Sequence, residues 1–327
     1  MDKVYDIAII GAGPAGIATS CEAVILGIKD IILFEKSANH SDTIRKYFKD
    51  NKPVDKDWKG IEVTLQGHLN FEGGTKESTL DLFKESLDKY LIDAKFHTEV
   101  SGISKTDDIF EIVTNTNETY SAKNIIIAIG KMGKPNKPEY KIPKSLNKIV
   151  NFNILECQGN EEVLVVGGGD SAVEFAYYIH DNNTVTLNYR KEKLTRPNPK
   201  NLNNLMEKVD EGKISLKLGV DITTVEDADG RAKVIFADGS THTYDRIIYG
   251  LGGSTPKEFL QNANIVLDEK GNPVVDDHNI NSQGVYIAGD IAGHLGGSIA
   301  SALNHGYIII DDILTNNCNL DDDICLT

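Results

Sequence analysis

Two glycine clusters have residue types and spacing suited to chemistry. Gly11, Gly13 and Gly16 form G-x-G-x-x-G, with Pro14 and Ala15 inside it, directly after the apolar run from Val4 to Ile10. The first glycine permits a tight turn, the second lets the backbone approach a pyrophosphate, and the third lets a helix pack on the strand. The helix that opens there adds N–H donors and the positive end of its dipole. Glu35, with Lys36 beside it, ends the next apolar run nineteen residues after Gly16. A carboxylate at that place accepts hydrogen bonds from both hydroxyls of an adenosine ribose.

The second cluster, Gly167, Gly169 and Ala172, gives G-x-G-x-x-A with Asp170 and Ser171 inside it. Here the position matching Glu35 is Tyr189, followed by Arg190 and Lys191, with Arg196 nearby. Losing the carboxylate and gaining cations suits a 2′-phosphate, which guanidinium and ammonium groups pair with and a carboxylate repels. The residues therefore point to NADP(H) rather than NAD(H).

Each cluster needs a strand before it and a helix after it, and the flanking patterns supply both. Short β-branched runs precede the glycines, as in a parallel sheet covered on both faces. Ala15 to Leu26 and Ala172 to His180 carry apolar residues at helical spacing, and strands Asp30 to Glu35 and Thr184 to Tyr189 complete two βαβ units. Between them lie a loop and helix region (37–91), a strand meander (95–120) and the strand Asn124 to Gly130, before the prolines 135, 138 and 143. Strands near Leu216, Val234 and Ile247 run to the glycines at 250, 252 and 253, a return linker. A last strand, Gly284 to Ala288, leads to a final helix from about Ser298 and a frayed tail from Asn316. The expected fold is α/β, two Rossmann-like dinucleotide-binding domains with the second (134–253) inserted into the first (1–133 and 254–327).

Composition narrows the function classes. At 327 residues two domains fit, and 34 basic against 49 acidic side chains leave a net charge of -15, which disfavours nucleic acid and anionic lipid. Asp2 and Asp6 stand where a signal peptide needs a basic, unbroken apolar start, and no run is long enough to span a membrane, so a soluble, cytoplasmic protein is expected. Cys21, Cys157, Cys318 and Cys325 are too few and too scattered for a disulfide scaffold or zinc site, and no pair is spaced C-x-x-C.

NIIIAIG (Asn124 to Gly130) and GVYIAGD (Gly284 to Asp290), with the N-terminal motif, resemble the FAD-contacting segments of the two-dinucleotide-binding-domain flavoproteins. The resemblance implies FAD against Gly11, Gly13, Pro14, Ala15, Gly16, Glu35, Lys36 and Gly130. Gly289 and Asp290 would meet the ribityl or pyrophosphate region. The helix opening at Ser298 and Ile299 would aim its dipole at the flavin pyrimidine. Length and insertion pattern resemble the low-molecular-weight thioredoxin reductases, but the stretch that bears their dithiol reads Val150-Asn151-Phe152-Asn153. Bacillithiol-disulfide-reductase-like relatives carry a cysteine where this chain has Ala15. GAGPAGIATS, VDKDWKG, AIGKMGKPNKPEYKIP, GGGDSAVE, TLNYRK, GGSTPKEFL and SIASALNHGY resemble the NADPH-dependent flavodoxin:quinone reductases, from whose pattern this chain departs at Asp170, where asparagine is usual. That resemblance implies FAD and NADPH as cofactors, flavodoxin, ferredoxin or a quinone as acceptor, and a homodimer.

A flavin needs no protein acid, base or nucleophile to split a hydride into single electrons, so no catalytic residue is expected outside the cofactor sites. Two basic tracts, Arg45, Lys46, Lys49, Lys52, Lys56, Lys59 and Lys131, Lys134, Lys137, Lys141, Lys144, Lys148, would steer an acidic flavodoxin or ferredoxin. Tyr47 is the aromatic placed to stack on the isoalloxazine, with Phe48 and Trp58 beside it. His294 and His305 flank the start of the final helix, and Cys21 falls on the buried side of the first.

Overall fold

The computed structural model describes residues 3–57, 62–131, 135–252, 256–269, 271–293 and 297–318. The chain divides into two compact units, Met1–Gly133 with Thr255–Thr327, and Lys134–Ser254.

The first unit opens with β1 (Val4–Ile10), whose pleat sends Ile7 and Ile9 to one core and Ala8 and Ile10 to the other. Helix α1 (Pro14–Ile25), β2 (Ile31–Phe34) and α2 (Asp42–Tyr47) follow. A small ladder of β3 (Pro53–Val54) and β4 (Gly74–Thr75) leads into α3 (Lys76–Lys89), whose first turn is closed by a Thr75–Ser78 capping box. Then come β5 (Ala94–Lys95), β6 (Val100–Thr106), β7 (Ile109–Thr114) and β8 (Thr119–Ile127). One continuous strand, β8, spans both the end of the expected meander and the expected strand at Asn124.

The second unit contains β9 (Val150–Asn151), β10 (Glu162–Val166), α4 (Asp170–Ile179), β11 (Thr184–Tyr189), α5 (Pro199–Asp210) and β12 (Ile214–Leu218). It continues with β13 (Ile222–Ala228), β14 (Arg231–Phe236), β15 (Thr241–Tyr244) and β16 (Arg246–Tyr249). The chain returns to the first unit through α6 (Lys257–Asn262), β17 (Tyr286–Ile287) and α7 (Ile299–Cys318).

In the first unit the sheet order is β5-β2-β1-β8-β7-β6, with β17 parallel to the last residues of β8. β5-β2-β1-β8-β17 is the parallel Rossmann order, and β6 and β7 form an antiparallel flank. In the second, β12-β11-β10-β16-β9 is wholly parallel. Val163 and Val165 of β10 face the helix side with Val173 and Ala176, while Leu164 and Val166 face Val225, Val234 and Phe236 of the antiparallel ladder β13-β14-β15. The single strand expected near Val234 is thus the middle of a three-stranded ladder. The last strand is shorter than Gly284 to Ala288, and α7 reaches Cys318 rather than stopping before Asn316. Residues 319–327, with Cys325, lie outside the described residues, as do Trp58, Lys59, Lys134 and His294. Among the described residues no helix is long and apolar enough to cross a membrane.

Helices α1 and α7 pack so closely that a Cβ on Gly306 would lie 2.7 Å from the Thr19 amide nitrogen and 2.9 Å from Ala18. Cys21 of α1 is fully buried in the core cluster that this packing helps to form. The same pair grips an extended segment around 64–69. Buried Glu22 accepts from the His68 and Leu69 N–H groups and from His68 Nδ1, while Asn304 donates to Thr64 O and accepts from Gln66 N–H. Replacing Gly306 with valine should force the helices apart and cost about 1–3 kcal/mol, read as a lower denaturant midpoint with an unchanged slope.

Candidate functional site

Both glycine turns are built on one contact. Gly11 has φ +105°, and a Cβ there would fall 2.6 Å from the carbonyl oxygen of Ala128, just past the end of β8. Gly167 has φ +149°, and its Cβ would fall 2.4 Å from the carbonyl of Gly250, just past β16. Only glycine allows the neighbouring parallel strand to come this near. The third position differs: a Cβ on Gly16 would meet Gly11 O at 1.9 Å, whereas Ala172 fits because Gly167 and Gly250 both lack one. The middle glycines stay uncrowded, with the nearest atom 4.0 Å from a Gly13 Cβ and nothing within 4 Å at Gly169.

These turns cap helices that offer bare amides. Gly13 caps α1 with no side-chain bond to the first turn, Pro14 opens the helix, and no acidic residue lies in that turn. The positive end of α1 is therefore uncompensated and suited to an anion. Glu35 is buried beside it, its Oε2 accepting from Ala12 N–H at 2.9 Å and its Oε1 from Ser37 N–H at 2.8 Å. Each carboxylate oxygen keeps a lone pair for a further donor. The first unit's elements thus bring Gly11, Gly13, Pro14, Ala15, Gly16 and Glu35 together, with Lys36 exposed at the edge.

The segment after Glu35 is locked by His40 and Ser41, which the sequence did not single out, and by Arg45 of the first basic tract. Ser41, at φ 54°, donates its N–H to Ala12 O. Arg45 donates to His40 O and to His40 Nε2, so the His40 proton sits on Nδ1 and is given to Ser41 Oγ. Burial, helped by the Arg45 cation, pushes the His40 pKa down to about 4, keeping the ring neutral. Tyr47 is half-buried in the last turn of the short helix α2.

β17 delivers the last segment. Gly289 lies against α1, a Cβ there falling 3.0 Å from that of Ala15, and its N–H donates to Nδ1 of buried His305 at 3.0 Å. His305 is therefore an acceptor at Nδ1, its proton on Nε2. Asp290 follows; its side chain is open to solvent yet ringed by protein, which pushes its pKa above the usual carboxylate range, with Lys131 opposing. Gly130 has φ +66°, and Ser298 caps α7 by accepting from Ser301 N–H, one residue before Ile299 opens the helix.

In the second unit Gly167 N–H donates to Asn188 O as Gly11 N–H donates to Phe34 O, so Tyr189 is the structural equivalent of Glu35. Its buried ring lies against Gly168, where a Cβ would come within 2.3 Å of it. Arg190, Lys191 and Arg196 are exposed in the bend that follows, and Ser171 lies in the first turn of α4. Asp170 points not to open space but to α5, accepting from Asn198 and Asn201.

Among the described residues both thiols are sealed off. Val150-Asn151 is strand β9, and Cys157 is free and half-buried, with its thiol donating to Glu161 at 3.3 Å. Burial, then that bond, pushes the Cys157 pKa up to about 11; burial pushes Cys21 to about 12. Neither is a thiolate at neutral pH. The Glu161 carboxylate is itself held by a bidentate Arg246 at 2.7 Å through each nitrogen. The basic tracts also differ. Lys46 pairs with Asp42, Lys56 with Glu72, and Lys52 lies over the Phe48 ring. Lys137, Lys141, Lys144 and Lys148 are exposed, and among the described residues none has an ion-pair partner.

A family model described as pyridine nucleotide-disulphide oxidoreductase matches residues 8–289, spanning both glycine turns and ending at Gly289. The chain belongs to this family. A ferredoxin–NADP reductase from Rickettsia massiliae is 28% identical over 331 residues, covering 94% of this chain and 94% of the relative. Another, from Leuconostoc mesenteroides, is 28% identical over 187 residues, 55% of this chain, and the match spans only 51% of the relative. Among solved structures, Lactococcus lactis thioredoxin reductase has a TM-score of 0.78 at 23% identity, covering 95% of this chain and 98% of its own. The fold is that of a thioredoxin-reductase-like flavoprotein with two Rossmann domains, as the sequence led us to expect.

Because Asp290 is held as a carboxylate against its surroundings, Asp290→Asn should raise the melting temperature of the flavin-free protein at pH 7. A carboxyl whose pKa is raised on folding contributes stability below its unfolded value and loses it as pH rises through the folded one. The advantage of the variant should therefore shrink as pH falls toward 4 and disappear below it, measured by thermal melts across that range.

Proposed function

We propose that the unit Met1–Gly133 with Thr255–Thr327 binds FAD, that Lys134–Ser254 binds NADPH, and that electrons pass to an external carrier without a protein dithiol. The observation that carries this reading is the state of the cysteines. In a chain matched by a disulphide-oxidoreductase family model from residue 8 to 289, the two cysteines in that span, Cys21 and Cys157, are free thiols, their pKa values raised to about 12 and about 11. When bound, FAD takes two electrons from NADPH as a hydride and releases them one at a time.

The residues fit that cofactor. The bare amides of α1 receive the pyrophosphate, Glu35 receives the ribose hydroxyls on oxygens already oriented by Ala12 and Ser37, and Gly130, Gly289 and Asp290 lie toward the ribityl chain and flavin. Tyr47 is the aromatic assigned to the ring system, and the first turn of α7, from Ser298 and Ile299, supplies positive potential to it. In the second unit Gly167, Gly169, Ser171 and Ala172 form the nucleotide turn, Tyr189 floors it, and Arg190, Lys191 and Arg196 pair with the 2′-phosphate.

Ferredoxin is the carrier named in two relatives, and we assign it here as acceptor, with flavodoxin and a quinone as alternatives on the resemblance noted above. The balance is one NADPH oxidised, two one-electron carriers reduced and one proton released. The exposed lysines Lys137, Lys141, Lys144 and Lys148, without ion-pair partners among the described residues, suit an acidic carrier, because long-range attraction raises encounter rates.

The test is NADPH oxidation by the purified protein with ferredoxin, flavodoxin, benzoquinone or thioredoxin as acceptor. Carrier reduction should far exceed thioredoxin reduction, and Lys137→Glu with Lys141→Glu should slow it several-fold at low salt while leaving benzoquinone turnover unchanged. Thioredoxin reduced as fast as the carriers would overturn the assignment.

A further inference from the structure

The segment 190–198, which carries Arg190, Lys191 and Arg196, has no secondary structure of its own, yet it is fastened at both ends. At its start Gly219 N–H is shared between the carbonyls of Tyr189 and Lys191, 3.0 Å from each. In the middle Leu194 packs on the helix-side core. At its end stands Asp170, the first residue of α4. A single oxygen, Oδ1, accepts from the Asn198 backbone N–H at 2.7 Å, from Asn198 Nδ2 at 2.8 Å and from Asn201 Nδ2 at 3.0 Å. Asn198 in turn caps α5 by accepting Asn201 N–H at 2.8 Å, between Pro197, which is buried, and the exposed Pro199, which opens the helix.

This arrangement is costly unless it does something. A carboxylate on the first turn of α4 shares the helix end offered to the nucleotide's pyrophosphate, and like charges there oppose binding. Three donors converging on one charged oxygen form strong bonds, and they tie the pyrophosphate turn directly to the residue two positions after Arg196. The two prolines stiffen the link.

We infer that Asp170 is a positioning residue for 2′-phosphate recognition: it holds the basic segment in register with the glycine turn, trading general nucleotide affinity for preference for a 2′-phosphorylated one. The inference rests on the assignment of this unit to NADPH. The side chain acts through Asn198 and Arg196.

The experiment measures binding of adenosine 2′,5′-bisphosphate and adenosine 5′-monophosphate to the full-length protein by calorimetry, with KM and kcat for NADPH and NADH alongside. Asp170→Ala should weaken bisphosphate binding about tenfold while monophosphate binding stays level or tightens. KM for NADPH should rise with kcat little changed. Asp170→Asn, which keeps an acceptor oxygen and removes the charge, should recover most of the preference. Asn198→Ser, which keeps the α5 cap but loses the Nδ2 amide that reaches Asp170, should lose about two- to fourfold, and it serves if the alanine variant does not fold. Equal losses for both ligands, or an unchanged preference in Asp170→Ala and Asn198→Ser, would overturn the role of Asp170. Wild-type protein that binds the two ligands equally would instead overturn the NADPH assignment itself.

Discussion

The structure depends on a carbonyl pressed against a glycine. At Gly11 the carbonyl of Ala128, and at Gly167 the carbonyl of Gly250, occupy the space where a side chain would begin. That approach lets two parallel strands end side by side with a helix starting directly above them. It is also what leaves backbone amides bare and pointed outward, because Gly13 and Gly169 cap their helices without any side chain of their own. One steric fact thus sets strand spacing, helix position and anion affinity together, and the chain uses it twice.

The two turns diverge in what surrounds them. Around the first, the second strand ends in a buried carboxylate satisfied by two backbone amides, and the Arg45-His40-Ser41 chain clamps the following segment to Ala12. Around the second, a tyrosine ring takes the place of the carboxylate and the charge moves onto an exposed basic bend. On the proposed reading the same scaffold is fitted to two adenosine nucleotides that differ at the 2′ oxygen. Among the described residues the two thiols are withdrawn from this chemistry by their surroundings: Cys21 is fully buried in the core of the first unit, and Cys157 keeps its proton in a hydrogen bond donated to Glu161.

Much of this was legible in the amino-acid order because parallel strands and glycine turns leave local patterns. Thr184–Tyr189 was expected as a strand with the bounds it has, since an apolar run flanked by turn residues has few alternatives. The ladder around Val234 was only partly legible: Thr241–Tyr244 shows no apolar stripe, and its pairing with β14 comes from the neighbour rather than its own composition. The extended segment near Gln66 was read only as loop and helix because its partners are the side chains of Glu22 and Asn304, far away in sequence. Asp170 was visible as an unusual residue, but its donors are 28 and 31 positions away and no periodicity reports such bonds.

The central claim is that the bound flavin is the protein's one redox store. Anaerobic titration of the FAD-loaded protein with NADPH, followed by flavin absorbance near ~450 nm, tests it most directly. The account predicts full bleaching at one equivalent of NADPH per flavin, two electrons in all. A requirement for two equivalents would reveal a second two-electron acceptor such as a disulfide, and would contradict the account.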